Sequence, residues 1–274
     1  MFECLKNYWE IIGSEIEKNC NKDKFIQKED TNIFNNDCSL EKDYTLHLNL
    51  FPEPFNGNLR SPKIVFLFLN PGYNEADEDV KGDITDDVIK AFKQNYIDDD
   101  EYPFFWLNSK KYTNKENANR ADIKKNGNPG VYYWNKLFDQ KTGKSFMKTL
   151  AKEKFNKNDD EARKWVAKNV CDIELFPYHS KKFHYSFAGC ESSDVARCNV
   201  FYEIEEHREV LFVFMRSVKL WTNGCKEWEY LLNERDFKND KKGNVIINPC
   251  PRNPSLNPEK NLGGAIYEWL KDRL

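Results

Sequence analysis

A chain of 274 residues is long enough to bury a full core, as one large domain or two small ones. Its 42 basic residues against 45 acidic ones give a formal net charge of −3, which excludes a global attractive field for nucleic acid and leaves a local basic surface as the route to it. Aromatic residues make up 15% of the chain, which excludes a disordered polymer, and no apolar run nears the ~20 residues of a membrane span.

Phe2, Leu5, Tyr8, Trp9, Ile12 and Ile16 recur at helical spacing and predict an amphipathic helix over residues 2–19. Residues 21–41 are polar and irregular and read as a loop. Between 43 and 51, Tyr44, Leu46, Leu48 and Leu50 alternate with Thr45, His47 and Asn49, the pattern of a half-buried strand with His47 on its solvent side. Pro52 to Asn58 reads as a turn. From Lys63 to Leu69 the run is apolar on both faces, as suits a strand buried between two helical layers. Asn70-Pro71-Gly72 ends it abruptly. A simple strand-ending turn would use the same three residues, but ligands of open α/β sheets also bind beyond such strand ends.

Residues 74–87 are acidic and 88–96 read as a helix. Asp98-Asp99-Asp100-Glu101 lacks the glycine and distal Glu of an EF-hand and reads as a solvated loop. An aromatic segment, Tyr102 to Trp106, precedes a Lys- and Asn-rich stretch over 108–128. That stretch carries Lys110, Lys111, Lys115, Arg120, Lys124 and Lys125, and reads as a loop facing either solvent or phosphate. Helices are expected over 130–138, with a continuation or restart through Phe146 and Leu150, and over 159–166, 195–207, 225–233 and 261–274. Further strands are expected over 170–176, 210–215 and 244–247. Strands alternating with helices predict a three-layer α/β/α sandwich around a short, mainly parallel central sheet. We read one domain, with an N-terminal extension over about residues 1–60.

Eight cysteines (Cys4, Cys20, Cys38, Cys171, Cys190, Cys198, Cys225 and Cys250) include no Cys-x-x-Cys pair, and no secretory signal precedes them. Reduced structural thiols in a cytoplasmic protein are expected, without a metal or iron–sulfur site.

Each predicted parallel strand ends in polar chemistry. The first ends at Asn70-Pro71-Gly72-Tyr73, and the second carries Glu174 and runs on through Phe176-Pro177-Tyr178-His179-Ser180. The third ends at Arg216-Ser217-Val218-Lys219, and the fourth at Asn248-Pro249-Cys250-Pro251-Arg252-Asn253-Pro254-Ser255-Leu256-Asn257. In this order the motifs resemble those of the uracil-DNA glycosylase superfamily. Its mismatch-specific form places Gly-x-Asn-Pro-Gly after a buried strand, and Leu69-Asn70-Pro71-Gly72 matches without the leading glycine. Its last motif, Asn-Pro-Ser-Gly-Leu or His-Pro-Ser-Pro-Leu-Ser, follows the final strand. Asn248 to Asn253 matches that motif by position and Asn253-Pro254-Ser255-Leu256 by letters, so both registers stay open. The resemblance runs in order from about Pro54 to the C-terminus but rests on short motifs.

The resemblance implies a monomeric, cofactor-free, monofunctional glycosylase that flips a base out of double-stranded DNA. Cleaving an N-glycosidic bond passes through an oxocarbenium-like sugar while negative charge grows on the departing base. By resemblance, Asn70 places water beneath the sugar; its carbonyl oxygen can orient water, but an amide is no strong general base. Asn248 or Asn253 would stabilise the departing base, and Arg252 or Leu256 would fill the gap left by the nucleotide. Arg216, Ser217, Lys219 and Ser255 would contact the DNA backbone, with Arg216 standing where the family has glycine. His179 would favour the departing base or grip a phosphate. Tyr73, Phe55, Tyr132 and Trp134 compete as the platform that stacks on the base. No Lys is placed for Schiff-base chemistry, so lyase activity is not expected.

Glu174 stands where many family members carry an Asn that reads uracil. As an ionised acceptor it would take the exocyclic amine of cytosine and repel the carbonyl edge of uracil or thymine. A modified cytosine, such as glucosylated hydroxymethylcytosine in phage DNA, then becomes the expected substrate, with a role in anti-phage defence. A strand-end Glu in a surface salt bridge is the plain alternative. The rival functions are a non-catalytic reader of modified bases, a uracil or thymine-mismatch glycosylase, and an enzyme acting on free nucleosides.

Overall fold

The computed structural model describes residues 1–18, 25–26, 28–31, 42–73, 129–138, 145–223, 228, 243–252, 255–259, 261–271 and 273. The expectations for 74–128, for the 225–233 helix apart from Trp228, for Asn253 and for most of 19–41 lie outside these residues.

In chain order the main elements are α1 (Glu3–Lys18), β1 (Phe55–Gly57), β2 (Ile64–Phe68), α2 (Pro129–Phe138), α3 (Phe146–Lys154) and α4 (Asp159–Asn169). They continue with β3 (Val170–Glu174), α5 (Glu191–Glu206), β4 (Leu211–Phe214), the single turn α6 (Val218–Trp221), β5 (Val245–Ile247) and α7 (Asn261–Lys271). Sequence signals account for several boundaries. Ser145 caps α3 by accepting from the Lys148 amide at 3.0 Å. Asn158 caps α4, whose first turn carries Asp159, Asp160 and Glu161 against the positive end of the helix dipole.

The sheet order is β1-β3-β2-β4-β5. β3, β2, β4 and β5 run parallel, and the short edge strand β1 pairs antiparallel with β3. Residues level with one another in the ladders share a face, so Phe66, Asp172 and Val213 point one way, and Val65, Cys171 and Phe212 the other. On the first face Phe66 and Phe68 pack on Trp134 of α2, at ring distances of 6.2 and 5.4 Å. α3 and α4 extend this layer, and α7 joins it where Tyr267 meets Phe146 and bonds Glu153. On the second face Phe212 meets Phe2 at the start of α1, and Phe214 meets Trp221 of α6. α1 and α5 pack together there: the Leu5 amide donates to Asn199 and the Phe2 amide to Glu203. Every residue of β2 is buried, which explains why its sequence shows no alternation.

One expected strand is absent. Residues 42–44 form a short 3-10 turn, and 45–51 are irregular, closed locally by the Leu50 amide on the His47 carbonyl at 3.1 Å. The edge strand instead lies at Phe55–Gly57, inside the expected turn. The alternation over 44–50 comes from Leu46 and Leu48 packing part-buried on the core from a loop, while neighbouring backbone groups bond to distant segments. No described helix is long and apolar enough to cross a membrane. Cys4, Cys171, Cys190, Cys198 and Cys250 are free thiols.

The chain steps from β2 to β3 on one side, then returns across β2 to β4 on the other. The winding therefore reverses between β2 and β4, and their carboxyl ends frame the crevice where ligands of such sheets bind. Asn70 follows β2 at this point, and Arg216 follows β4.

Candidate functional site

Asn70 is half-buried, and its surroundings fix the orientation of its amide. Nδ2 donates to the Pro71 carbonyl at 2.9 Å, to the Ser180 hydroxyl at 3.0 Å and to the Ser180 carbonyl at 3.3 Å. Two of these partners are carbonyl oxygens, which only an amino group can face. Oδ1 has no hydrogen-bond partner among the described residues, so it is presented as an open acceptor at the crevice. Ser180 is itself buried and held by its own bond to the Lys182 carbonyl at 2.9 Å.

His179 sits directly behind this loop, 3% exposed. Its Nδ1 lies 3.0 Å from the Gly72 carbonyl and its Nε2 2.9 Å from that of Phe51, with Glu53 Oε1 3.5 Å from Nε2. Both ring nitrogens are thus occupied by backbone carbonyls, with the Glu53 carboxyl beside Nε2. The expected contact of His179 with a base or phosphate is thus corrected: the ring ties Gly72 to Phe51 and positions Asn70 from behind.

Glu174 ends β3 level with Phe68, on the face that looks toward α2. It is not a surface residue: it is 8% exposed, and Asp172, two residues earlier on the same face, is 5% exposed. Buried Glu53 approaches from the segment before β1, and Tyr133 from α2. Burial, then the neighbouring charges of Asp172 and Glu53, pushes the Glu174 carboxyl well above the usual range, against a smaller opposing effect of Arg216. Burial, then Glu53, does the same to Asp172. Burial also raises the Tyr133 hydroxyl. The ionised form of Glu174, expected from its side-chain type, is therefore disfavoured by its surroundings. Asp172 Oδ1, Glu174 Oε2 and Tyr133 Oη are all buried without a hydrogen-bond partner among the described residues. No group of three or more His, Cys, Asp and Glu among the described residues is arranged to hold a metal ion.

Several other candidates fall elsewhere. Leu256 is 0% exposed in the core and cannot enter a gap in DNA. Phe55 is a buried core residue of β1, so it is no stacking platform. Trp134 is likewise core, and the Tyr178 hydroxyl is spent on Asp30 at 2.7 Å. Asn248 is buried with both ends of its amide used, donating to the Met215 carbonyl and accepting from the Cys250 amide at 2.9 Å. It staples the turn after β5 and does not face a base. Arg216 braces the same turn, donating to the Pro251 carbonyl at 2.6 Å. Tyr73 lies stacked on His47, with ring centroids 3.2 Å apart. Tyr132 and Ser217 are half-buried, and so is Ser255, whose hydroxyl accepts from the Asn257 amide. Lys219 and Arg252 are exposed.

The sequence reading missed Ser180, Asp172, Glu53 and Tyr133. Asp172 was detectable, because a spacing of two puts it beside Glu174 on one strand face. Glu53 and Tyr133 arrive from distant elements and had no local signal. Next to Ser180, exposed Lys181 and Lys182 and the 75% exposed Tyr185 add a basic, aromatic edge to the rim. No protein-family model, curated protein or solved structure matches the chain.

Proposed function

We propose that the chain is a monofunctional DNA glycosylase that flips a modified cytosine from a duplex and hydrolyses its N-glycosidic bond. Acting on modified phage DNA, such an enzyme would serve in defence. The observation that carries this reading is Asn70: its amide hydrogens are tied down, and its open Oδ1 stands at the reversal point of the sheet. An acceptor held there can orient a water toward the anomeric carbon without any side-chain rearrangement at the moment of reaction. Ordering of the water, rather than deprotonation of it, is the contribution open to an amide. The exposed Lys181, Lys182, Lys219 and Arg252 suit a phosphate backbone tracking along the rim. A non-catalytic reader of modified bases is the second reading, favoured by the same amide, because no carboxylate stands in its place.

The test is abasic-site formation on duplexes carrying uracil, mismatched thymine, hydroxymethylcytosine or its glucosylated form. Product is expected from a modified cytosine, and Asn70→Ala should lower its rate by about 100-fold or more while duplex affinity changes little. Duplex binding without product from any substrate would establish the reader, and full activity in Asn70→Ala would remove the role given to Asn70.

A further inference from the structure

The loop over residues 177–182, which follows β3, carries the groups that hold the Asn70 turn. Its Ser180 takes two of the three Nδ2 bonds of Asn70, and its His179 ring reaches the Gly72 carbonyl at 3.0 Å. The loop is in turn gripped by residues that precede β1. The His47 amide donates to the His179 carbonyl and the Glu53 amide to that of Pro177, each at 2.9 Å. The Lys182 amide donates to the Asp43 carbonyl, also at 2.9 Å. The hydroxyl of buried Tyr178 donates to Asp30 Oδ2 at 2.7 Å. Asp30 is fully buried, and its Oδ1 accepts the Ser192 amide at 3.1 Å in the first turn of α5. A carboxyl is costly to bury, and here both of its oxygens are met by donors, with the positive end of a 16-residue helix beside one of them.

We infer that Asp30 is a positioning residue for Asn70: through the Tyr178 hydroxyl it fixes the 177–182 loop, and the loop fixes the amide that presents Oδ1. The inference rests on the reading that Asn70 Oδ1 is the working acceptor of the site. The chemistry of the joint goes beyond filling the core. Ring packing alone would seat Tyr178, which lies against Trp9 at 6.3 Å and Phe176 at 5.1 Å. Such contacts are non-directional, whereas a hydrogen bond to a buried carboxyl sets where the ring, and with it the backbone, comes to rest. Asp30 also holds the start of α5, which packs on α1, so the loop is referenced to the core and not to another loop. Tyr178 stands two residues before Ser180, so a shift at the hydroxyl passes directly to the partner of Asn70. A misplacement of about 1 Å in an aligned group can cost about 100-fold in rate, which gives that short path its consequence. Asp30 had no signal in the sequence, where it falls in a polar, irregular stretch.

The experiment follows solvent exchange of the two Asn70 Nδ2 hydrogens by NMR in the full chain, with their signals assigned by their loss in Asn70→Ala. Tyr178→Phe keeps the ring and removes only the hydroxyl, and should quicken this exchange by about 10-fold, the worth of one bond to a carboxyl. Asp30→Ala should do the same. Asp30→Asn should bring exchange back to within about 3-fold of the wild type, because its oxygen can still accept from Ser192 and its amino group can donate to the Tyr178 oxygen. The backbone amides of β2 are the reference, since a general loss of stability would speed them as well. On a cleavable duplex, Tyr178→Phe should lower the single-turnover excision rate by about 10-fold with affinity kept within about 3-fold, the split that misalignment produces. Unchanged Asn70 exchange in Tyr178→Phe, equal quickening in β2, or no rescue by Asp30→Asn overturns the inference. If Asp30→Ala does not fold, Tyr178→Phe decides alone. Failure of every duplex to yield an abasic site would sink the glycosylase reading while leaving the exchange readable.

Discussion

Asn70 shows how a side chain's role is set by what surrounds it. The carbonyls of Pro71 and Ser180 hold Nδ2, and an Asp here would turn a carboxylate oxygen onto both of them. The fold thus favours an oriented acceptor over a stronger base. Asp172 makes the opposite case, a carboxyl retained where its charge is penalised. Its folded pKa lies above the unfolded value near 4, so below about pH 4 both states hold the proton and no penalty exists. As pH rises, the unfolded chain releases the proton first and stability falls. Asp172→Asn should therefore be more stable than the wild type at pH 8, by about 1–3 kcal/mol in urea unfolding, with the gain shrinking toward pH 4. An equal gain at both pH values would show that Asp172 is not held neutral in the fold. The acidic pair was visible in the sequence as Asp172-x-Glu174, but the penalty on its charge was not, because Glu53 joins it only through the tertiary fold.

Among the elements, α7 has the most exacting fit. The loop after β5 lies on the helix where Gly263 and Gly264 have no side chains. A Cβ at Gly263 would overlap the backbone of Leu256 and Asn257, and one at Gly264 would stand 2.9 Å from the Pro258 carbonyl oxygen. In an exposed helix, Gly→Ala gains about 1 kcal/mol from propensity. Here a backbone clash of about 1–3 kcal/mol opposes it and should reverse the sign. Gly263→Ala is expected to lower the urea midpoint, and an unchanged or raised midpoint would show that the loop yields freely. The same contact accounts for Leu256 being core rather than a wedge into DNA. Strands β2 to β5 were legible as short apolar runs, and α1 to α5 and α7 from apolar faces that repeat at 3.6 residues; the single turn α6 was not expected. β1 was not legible, since three residues that follow Pro54 and end in Gly57 carry too short a pattern, and the Leu46 and Leu48 alternation drew the strand to the wrong place.

For the whole molecule, a net charge of −3 means that any DNA affinity depends on a few local cations. Lys181, Lys182, Lys219 and Arg252 are exposed near the strand ends, although Lys182 is paired with Asp43 at 2.5 Å. Four phosphate contacts would give a slope of about −3 to −4 in a plot of log K against log salt. Affinity measured from 50 to 200 mM salt checks this. A slope near zero would remove DNA as the partner, and one steeper than about −6 would assign further contacts to the basic 108–128 stretch.

By itself the sequence determined the α/β class, the single buried run that became β2, and the polar residues that end each parallel strand. These follow from periodicity and strand-ending chemistry, which are local. Only the tertiary structure decided which of those polar residues are free to act. It closed Asn248, Arg216 and His179 into backbone contacts, put Leu256 and Phe55 in the core, and left Asn70 Oδ1 open. It also gathered Glu53, Asp172, Glu174 and Tyr133 into one buried cluster. Burial and neighbouring charge are properties of where separate segments meet, and so no local stretch of sequence contains them.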